Sequence, residues 1–292
     1  MTNRNKTLNI EYRFLTGEDF GALYQANLAA FSDYLVPLQM TKNQFKNHFA
    51  QNAIDINLSV GAFSNSKLVG FTLNGFGLWN GKQTAYDAGT GVIPEYRKNG
   101  IGKGVFNFLL PVLKEKGIEQ MLLEVISNNQ KAINLYRNLG FETSRKLQLF
   151  RQTEPIVANP AEQIKIKQIE KNPGSKLNEF ADKQTSWQFS NEAVERKLSS
   201  KSFVEAYSGD KCVGYGVLFP KSGIVAQLAV DRNYRRQNIA TNLLAEMEKM
   251  TIEGKKLRFG NVDSDLDSLI KLAEKLKFEP TISQYEMILE LQ

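Results

Sequence analysis

The 292-residue sequence contains one cysteine, Cys212, and one histidine, His48, and no long apolar run. A lone cysteine excludes an internal disulfide, and a single histidine beside it leaves no ligand set for a zinc cluster. Met1–Thr7 is polar and does not read as a signal peptide. No stretch approaches the roughly 20 apolar residues that a membrane-spanning helix needs. These absences predict a cytoplasmic, metal-free protein with no membrane partner, and make His48 a surface helix residue. Also missing is any run of five or six basic residues. The 37 Lys and Arg are scattered among 31 Asp and Glu, for a net charge of +6. With no clustered aromatic platform either, nucleic acid is not an expected partner.

The excess charge is uneven. Residues 1–155 carry +5 and residues 156–292 only +1, which favours a small anionic ligand in the first half.

The chain also contains itself twice. "KLVGFTL" (Lys67–Leu73) returns as "KCVGYGV" (Lys211–Val217), "VIPEYRKNGIG" (Val92–Gly102) as "VDRNYRRQNIA" (Val230–Ala240), and "LYRNLGF" (Leu135–Phe141) as "LAEKLKF" (Leu272–Phe278). The order is kept while the offset falls from 144 to 138 and then 137. That pattern implies duplication of one domain, with a hairpin six residues shorter in the second copy. "RQTEPIVANPAEQ" (Arg151–Gln163), polar with two prolines, reads as the linker. The expected domains are 1–155 and 156–292.

Each copy predicts an α/β (α+β) domain with a mixed, mostly antiparallel sheet flanked by helices. In the first, a strand at Leu8–Phe14 precedes helices near Asp19–Phe31 and Lys42–Gln51. Strands follow at Asn57–Phe63 and Leu68–Leu78, and the Asn-Gly pair of "WNGK" (Trp79–Lys82) marks a hairpin turn. A strand at Thr84–Ile93 then enters a basic turn. The helix after it has apolar residues at Ile101, Val105, Phe108, Leu109 and Val112, with Pro111 as an expected kink. Strand Gln120–Ile126, helix Gln130–Leu139 and closing strands near Phe141–Phe150 complete the copy.

A helix start bearing glycines and positive charge suits a phosphate. Gly100 and Gly102 allow close approach, and Arg97, Lys98 and Lys103 add charge. A P-loop is excluded because Arg97 and Gly104 stand where it needs Gly and Ser or Thr; a dinucleotide fingerprint is excluded by Val105.

The Arg-x-x-Gly-x-Gly of "VIPEYRKNGIG", after Val-x-Pro, resembles the acetyl-CoA-binding motif of the GNAT acyltransferase family. "LLEVISNNQKAINLYRNLGF" (Leu122–Phe141) resembles that family's second signature, in the right order and spacing. The resemblance covers nearly all of 8–150 and more loosely 163–292, so the whole looks like a tandem GNAT protein with a degenerate C-terminal copy.

The resemblance implies an N-acetyltransferase with acetyl-CoA as cosubstrate. Backbone amides across Lys98, Asn99, Gly100, Ile101, Gly102 and Lys103, beside Arg97, would hold the pyrophosphate. Val92 would bind the pantetheine arm, and Asn129 would steady the coenzyme or the loop it crosses. Tyr136 stands where the family's tyrosine protonates the leaving sulfur. Two carboxylates compete as base for the attacking amine. Glu124 has the spacing seen in ribosomal-protein amino-terminal acetyltransferases, and Asp87 lies on the strand leading to Val92. The acceptor is a small-molecule or peptide amine, with "AAFSDYLVPLQM" (Ala29–Met40) as part of its wall. The alternative is a noncatalytic module that senses acyl-CoA.

The second copy keeps its folding residues (Ile239, Leu243, Met247) and loses the others. Asn238 and Ala240 replace the turn glycines, Leu266 replaces Asn129, Ala273 replaces Tyr136 and Lys277 replaces Gly140. Asn238 is expected to spoil close phosphate approach. The two copies are expected to pack together, as a monomer or weak dimer.

Overall fold

The computed structural model describes residues 8–34, 39–158, 163–173 and 179–291. No described helix is long and apolar enough to cross a membrane. Contacts divide the chain into two units, one of Met1–Ser144 with Glu286–Gln292, the other of Arg145–Tyr285.

The first unit runs β1 (Glu11–Phe14), α1 (Phe20–Ala30), α2 (Lys42–Gln51), β2 (Val60–Ser64), β3 (Lys67–Trp79), β4 (Lys82–Val92), α3 (Ile101–Glu115), β5 (Gln120–Ile126) and α4 (Gln130–Asn138). Its strands lie in the order β1-β2-β3-β4-β5, antiparallel except for the parallel β4–β5 pair. Local chemistry sets several boundaries. Thr41 and Gln44 form a reciprocal capping box that starts α2. Asn80 and Gly81 both take positive φ, the conformation a two-residue hairpin turn requires. Pro111 sits inside α3, which continues through it to Glu115.

The two faces of this sheet carry different helices. Leu23 of α1 and Phe45 of α2 bury against Phe71 and Leu73 of β3. On the opposite face, the start of α3 lies so close to the sheet that a Cβ on Gly70 would fall 2.6 Å from Ile101, and one on Gly104 would overlap the Tyr12 ring.

The second unit repeats the plan with β7 (Ile164–Ile169), α5 (Asn191–Arg196), β8 (Ser202–Ser208), β9 (Lys211–Phe219), β10 (Ile224–Val230), α6 (Ile239–Lys249), β11 (Arg258–Asp263), α7 (Asp267–Lys275) and β12 (Phe278–Glu290). Only the β10–β11 pairing is parallel among its registers. The expected shortening of the hairpin is present: β9 and β10 are each four residues shorter than β3 and β4, while the turn between them is two longer.

The closing strands depart from the expected 155/156 division. β6 (Glu142–Gln152) continues from the first copy into the second unit, where Leu147 to Arg151 lie beside β11. The strand beside β5 is the end of β12. It is tied down by the Leu291 N–H to Glu119 C=O bond at 2.8 Å and by the Lys82–Glu290 ion pair at 2.8 Å. Arg151 and Gln152 of the expected linker are therefore strand, and residues 159–162 of it lie outside the described residues.

A fragment ending at residue 155 would lack Glu286–Gln292 and leave the edge of β5 unpaired. It is expected to melt below the full chain and to aggregate; equal melting temperatures by circular dichroism would contradict the strand assignment.

Candidate functional site

In the first unit β4 and β5 are paired from Thr84/Gln120 to Asp87/Leu123. β4 is bulged at Ala88, between the Asp87 and Gly89 pairings with β3. A bulge twists a strand away from its neighbour, and beyond it the described β4–β5 register ends. His48 of α2 holds this bulge: its Nε2 donates to the Ala88 carbonyl at 2.9 Å, while Nδ1 accepts from Asn52 at 3.1 Å. Those two bonds select the neutral tautomer protonated at Nε2. The expectation of a surface histidine is thus corrected. His48 is half-buried and shapes the cleft, a role that no local spacing could signal.

Asp87 is buried at the edge of that opening. Its Oδ1 accepts from the Gly89 N–H (2.9 Å) and the Thr72 hydroxyl (3.4 Å), and its Oδ2 from the Thr90 hydroxyl (2.8 Å) and the Tyr136 hydroxyl (3.3 Å). Burial raises the carboxyl to about 6 against the partial compensation of these donors. Tyr136 is buried too, and desolvation followed by the Asp87 charge holds its phenol well above the usual value. Its ring is fixed edge-on against Phe106 and Phe141, at 5.8 and 5.6 Å between centroids. The structure therefore brings Asp87 and Tyr136 together.

A raised carboxyl binds its proton more tightly in the folded chain. The Asp87 contribution to stability is gained as pH falls through about 6 and lost as pH rises. Relative to Asp87→Asn, the wild-type protein should gain up to about 3 kcal/mol between pH 7.5 and pH 4. Parallel stability–pH curves in urea titrations would contradict the shift.

Glu124 stands apart from this pair. Tyr86 is in register with Leu122 and Asp87 with Leu123, and side chains alternate along a strand. Glu124 therefore shares the face of Tyr86, whose hydroxyl donates to Glu124 Oε2 at 3.3 Å. Gly75, paired with Tyr86, abuts the backbone of Asn52 just after α2, so this is the α1–α2 face. Glu124 is half-buried there.

Asn129 caps α4 by accepting from the Ala132 N–H at 3.3 Å, and its Nδ2 donates to the Tyr34 hydroxyl at 3.2 Å. Burial raises the Tyr34 phenol, the Asn129 bond lowers it, and Asp87 raises it further. Tyr34 belongs to the segment expected to form the acceptor wall; Leu35–Leu38 of that segment lie outside the described residues.

The basic turn ends β4. Lys98 and Gly100 both adopt left-handed backbone, and the first bond of α3 closes from Gly104 N–H to Gly100 C=O at 2.9 Å. The amides of Ile101, Gly102 and Lys103 thus precede any intrahelical acceptor. Lys98 and Lys103 are exposed. Asn99 shapes the turn by donating to the Tyr96 and Arg97 carbonyls at 3.1 Å each.

Arg97 corrects the expectation of a phosphate-facing charge. It donates to the Val92 carbonyl (3.0 Å) and the Ala30 carbonyl (2.9 Å), and grips both oxygens of Asp33 at 2.7 Å. This guanidinium ties the end of β4 to the end of α1, and its partner holds the Asp33 carboxyl below the usual range.

The second unit reproduces the clamp. Arg235 donates to the Val230 carbonyl (3.0 Å), the Phe180 carbonyl (3.1 Å) and Asp182 (2.6 Å). Arg236 and Asn238 take positive φ as Lys98 and Gly100 do. Asn238 keeps the left-handed turn conformation, which asparagine tolerates, while adding a side chain where the first unit has none. The cleft chemistry is different. The last β10–β11 pair is Val225/Phe259, so Val225 occupies the Asp87 position.

Comparison with known proteins agrees with this duplication. The model of the acetyltransferase (GNAT) family matches residues 22–141, and that of an acetyltransferase (GNAT) domain matches residues 168–286. The chain is 28% identical over 137 residues to a mycothiol acetyltransferase of Arthrobacter sp., covering 46% of this chain and 42% of that protein. It is 30% identical over 97 residues to the [ribosomal protein bS18]-alanine N-acetyltransferase of Escherichia coli, covering 32% of this chain and 60% of the relative. The chain therefore spans about half the length of these relatives. A solved tandem GNAT protein from the clavulanic acid biosynthesis pathway shares the fold, with a TM-score of 0.74 at 14% identity over 97% of this chain and 99% of the other.

Proposed function

Because the chain belongs to the GNAT acetyltransferase family, we propose that its first unit is an acetyl-CoA-dependent N-acetyltransferase acting on a primary amine. The observation that carries this reading is the Tyr136–Asp87 pair, 3.3 Å apart, at the point where β4 and β5 part. Bound acetyl-CoA supplies the activated acyl carbon and a thiolate leaving group. The residues fit it: the amides of Ile101, Gly102 and Lys103 are bare at a helix start, where an anionic pyrophosphate is favoured. Lys98 and Lys103 add screening charge there, and Arg97 acts on the backbone instead. The clamp on the Val92 carbonyl fixes the strand end that would receive the pantetheine arm.

The two carboxylates take separate tasks. Asp87 is buried and ringed by donors, with the Thr72 hydroxyl shared between it and Asn74 Oδ1, which leaves an amine little access to it. It orients Tyr136. Glu124, half-buried on the other face, is the base that takes the ammonium proton. The neutral amine nitrogen then forms the C–N bond, the C–S bond breaks, Tyr136 gives its proton to the sulfur, and the second proton shed by the nitrogen restores the Tyr136 phenol through solvent. Asp87 charge is one cause of the raised Tyr136 phenol, so protonating Asp87 eases that donation.

The acceptor is a small-molecule or peptide amine. A thiol-release assay against a panel of amines tests the reading. Turnover with at least one amine is expected, and Glu124→Gln should lower kcat/KM about 10²-fold, the usual scale for loss of a general base. Coenzyme binding without thiol release on any amine would favour a noncatalytic sensor, and an unaffected Glu124→Gln variant would return the base to Asp87 or water.

A further inference from the structure

Two hydrogen bonds meet on one peptide group at the β4 bulge. The Ala88 carbonyl accepts from His48 Nε2 at 2.9 Å, and the Gly89 N–H of the same amide donates to Asp87 Oδ1 at 2.9 Å. The peptide is trans, so its C=O and N–H point in opposite directions. His48 lies on the α1–α2 face, where Ala88 packs. Asp87, one strand position from Tyr86, lies on the other face with Tyr136. This single amide therefore carries a contact across the sheet.

The series extends at both ends. Asn52 donates to His48 Nδ1 at 3.1 Å, and Tyr136 donates to Asp87 Oδ2 at 3.3 Å. Three bonds run donor-first from Asn52 to Asp87, and the phenol meets them there. Hydrogen bonds in such a chain polarise one another, so a donor on the Ala88 carbonyl strengthens the Gly89 N–H. The start of the series is firmly seated. Asn52 is buried and also donates to the His48 carbonyl at 3.0 Å. Just beyond it, Asp55 N–H to Asn74 C=O at 3.0 Å and Phe76 N–H to Ala53 C=O at 3.2 Å stitch the chain to β3. A Cβ on Gly75 would overlap the Asn52 carbonyl. A bulge alone does not call for the carboxylate: the second unit has one at Ala226, with Val225 in the place of Asp87.

We propose that His48 is a positioning residue for acetyl transfer: acting on Asp87 through the Ala88–Gly89 peptide, it holds the Tyr136 phenol in the orientation that donates to the leaving sulfur. This rests on the acetyltransferase reading of the first unit.

Thiol release by the full chain, with an amine that turns over, tests the proposal. His48→Leu should lower kcat about tenfold, the scale of a small misplacement, with KM for acetyl-CoA within about twofold. His48→Gln, whose amide can donate to the Ala88 carbonyl, should recover most of that loss. In an Asp87→Asn background His48→Leu should have little further effect, because its route to Tyr136 runs through the carboxylate. A full-rate His48→Leu enzyme, a loss that Gln does not recover, or an equal loss in the Asp87→Asn background would each overturn the proposal. Should His48→Leu fail to fold, His48→Met takes its place.

A second measurement needs no turnover. Stability–pH curves with and without Asp87→Asn, compared within each His48 background, isolate the Asp87 titration and cancel that of His48. Tyr34 and Tyr136, which act on Asp87, are phenols raised above the usual value and stay neutral there. The wild-type midpoint lies at about 6. A weaker Gly89 donor disfavours the carboxylate, so His48→Leu should move the midpoint up by roughly half a pH unit and His48→Gln should return it. An unmoved midpoint overturns the proposal. A moved midpoint without turnover on any amine supports the link from His48 to Asp87 and places the failure in the acetyltransferase reading.

Discussion

Replacing Tyr136 by phenylalanine is expected to lower kcat by about 10²-fold or more while leaving acetyl-CoA affinity within about twofold, as fits a general acid. The substitution removes one oxygen and keeps the ring that Phe106 and Phe141 hold edge-on, so folding should survive. The hydroxyl lost is the donor to Asp87 at 3.3 Å. Asp87 would keep three other donors, from Thr72, Gly89 and Thr90. Rapid-mixing measurement of thiol release against equilibrium binding of coenzyme A separates the two effects. A variant that turns over at the wild-type rate would leave Tyr136 a packing residue and make water the proton donor. A loss confined to KM would assign the hydroxyl to binding.

The second large effect concerns the helix start. Gly102→Glu is expected to weaken coenzyme A binding at least tenfold, about 1.4 kcal/mol. A carboxylate at this position lies among the bare amides, can accept from them itself, and repels the pyrophosphate. Bulk alone is a smaller matter, because a Cβ at Gly102 would come 3.2 Å from a terminal methyl of Leu135, which can shift. Gly102→Ala is therefore the control and should bind nearly as well as the wild type. Ala240 already occupies the matching position in the second unit. Calorimetry on both variants checks the pair; equal affinities for Glu and Ala would place the coenzyme away from this turn.

Much of this arrangement was legible from residue order. The duplication, the six-residue shortening of the second hairpin, the Asn-Gly turn, the start of α3 and the succession of strands all follow from short-range chemistry. Turn residues, caps and periodic apolar positions act on near neighbours, and a repeat is visible wherever those local rules recur. The same locality explains why Tyr136 and Asp87 could each be singled out while their hydrogen bond could not. They are 49 positions apart, and only the packing of α4 over the bulged end of β4 brings them together.

Tertiary structure alone decided the rest. It set Arg97 on Asp33, 64 positions away, rather than on a phosphate, because two carbonyls and a carboxylate converge on it. It turned His48 from a surface residue into the support of the Ala88 carbonyl, since α2 packs across the bulge. Strand alternation along the paired β4 and β5 separated Glu124 from Asp87, giving two similar carboxylates different surroundings. The closing strand beside β5 comes from the end of the chain, because hydrogen-bonding edges are matched in space and not by distance along the sequence. Sequence determined which side chains are present to do chemistry; the fold determined which of them meet.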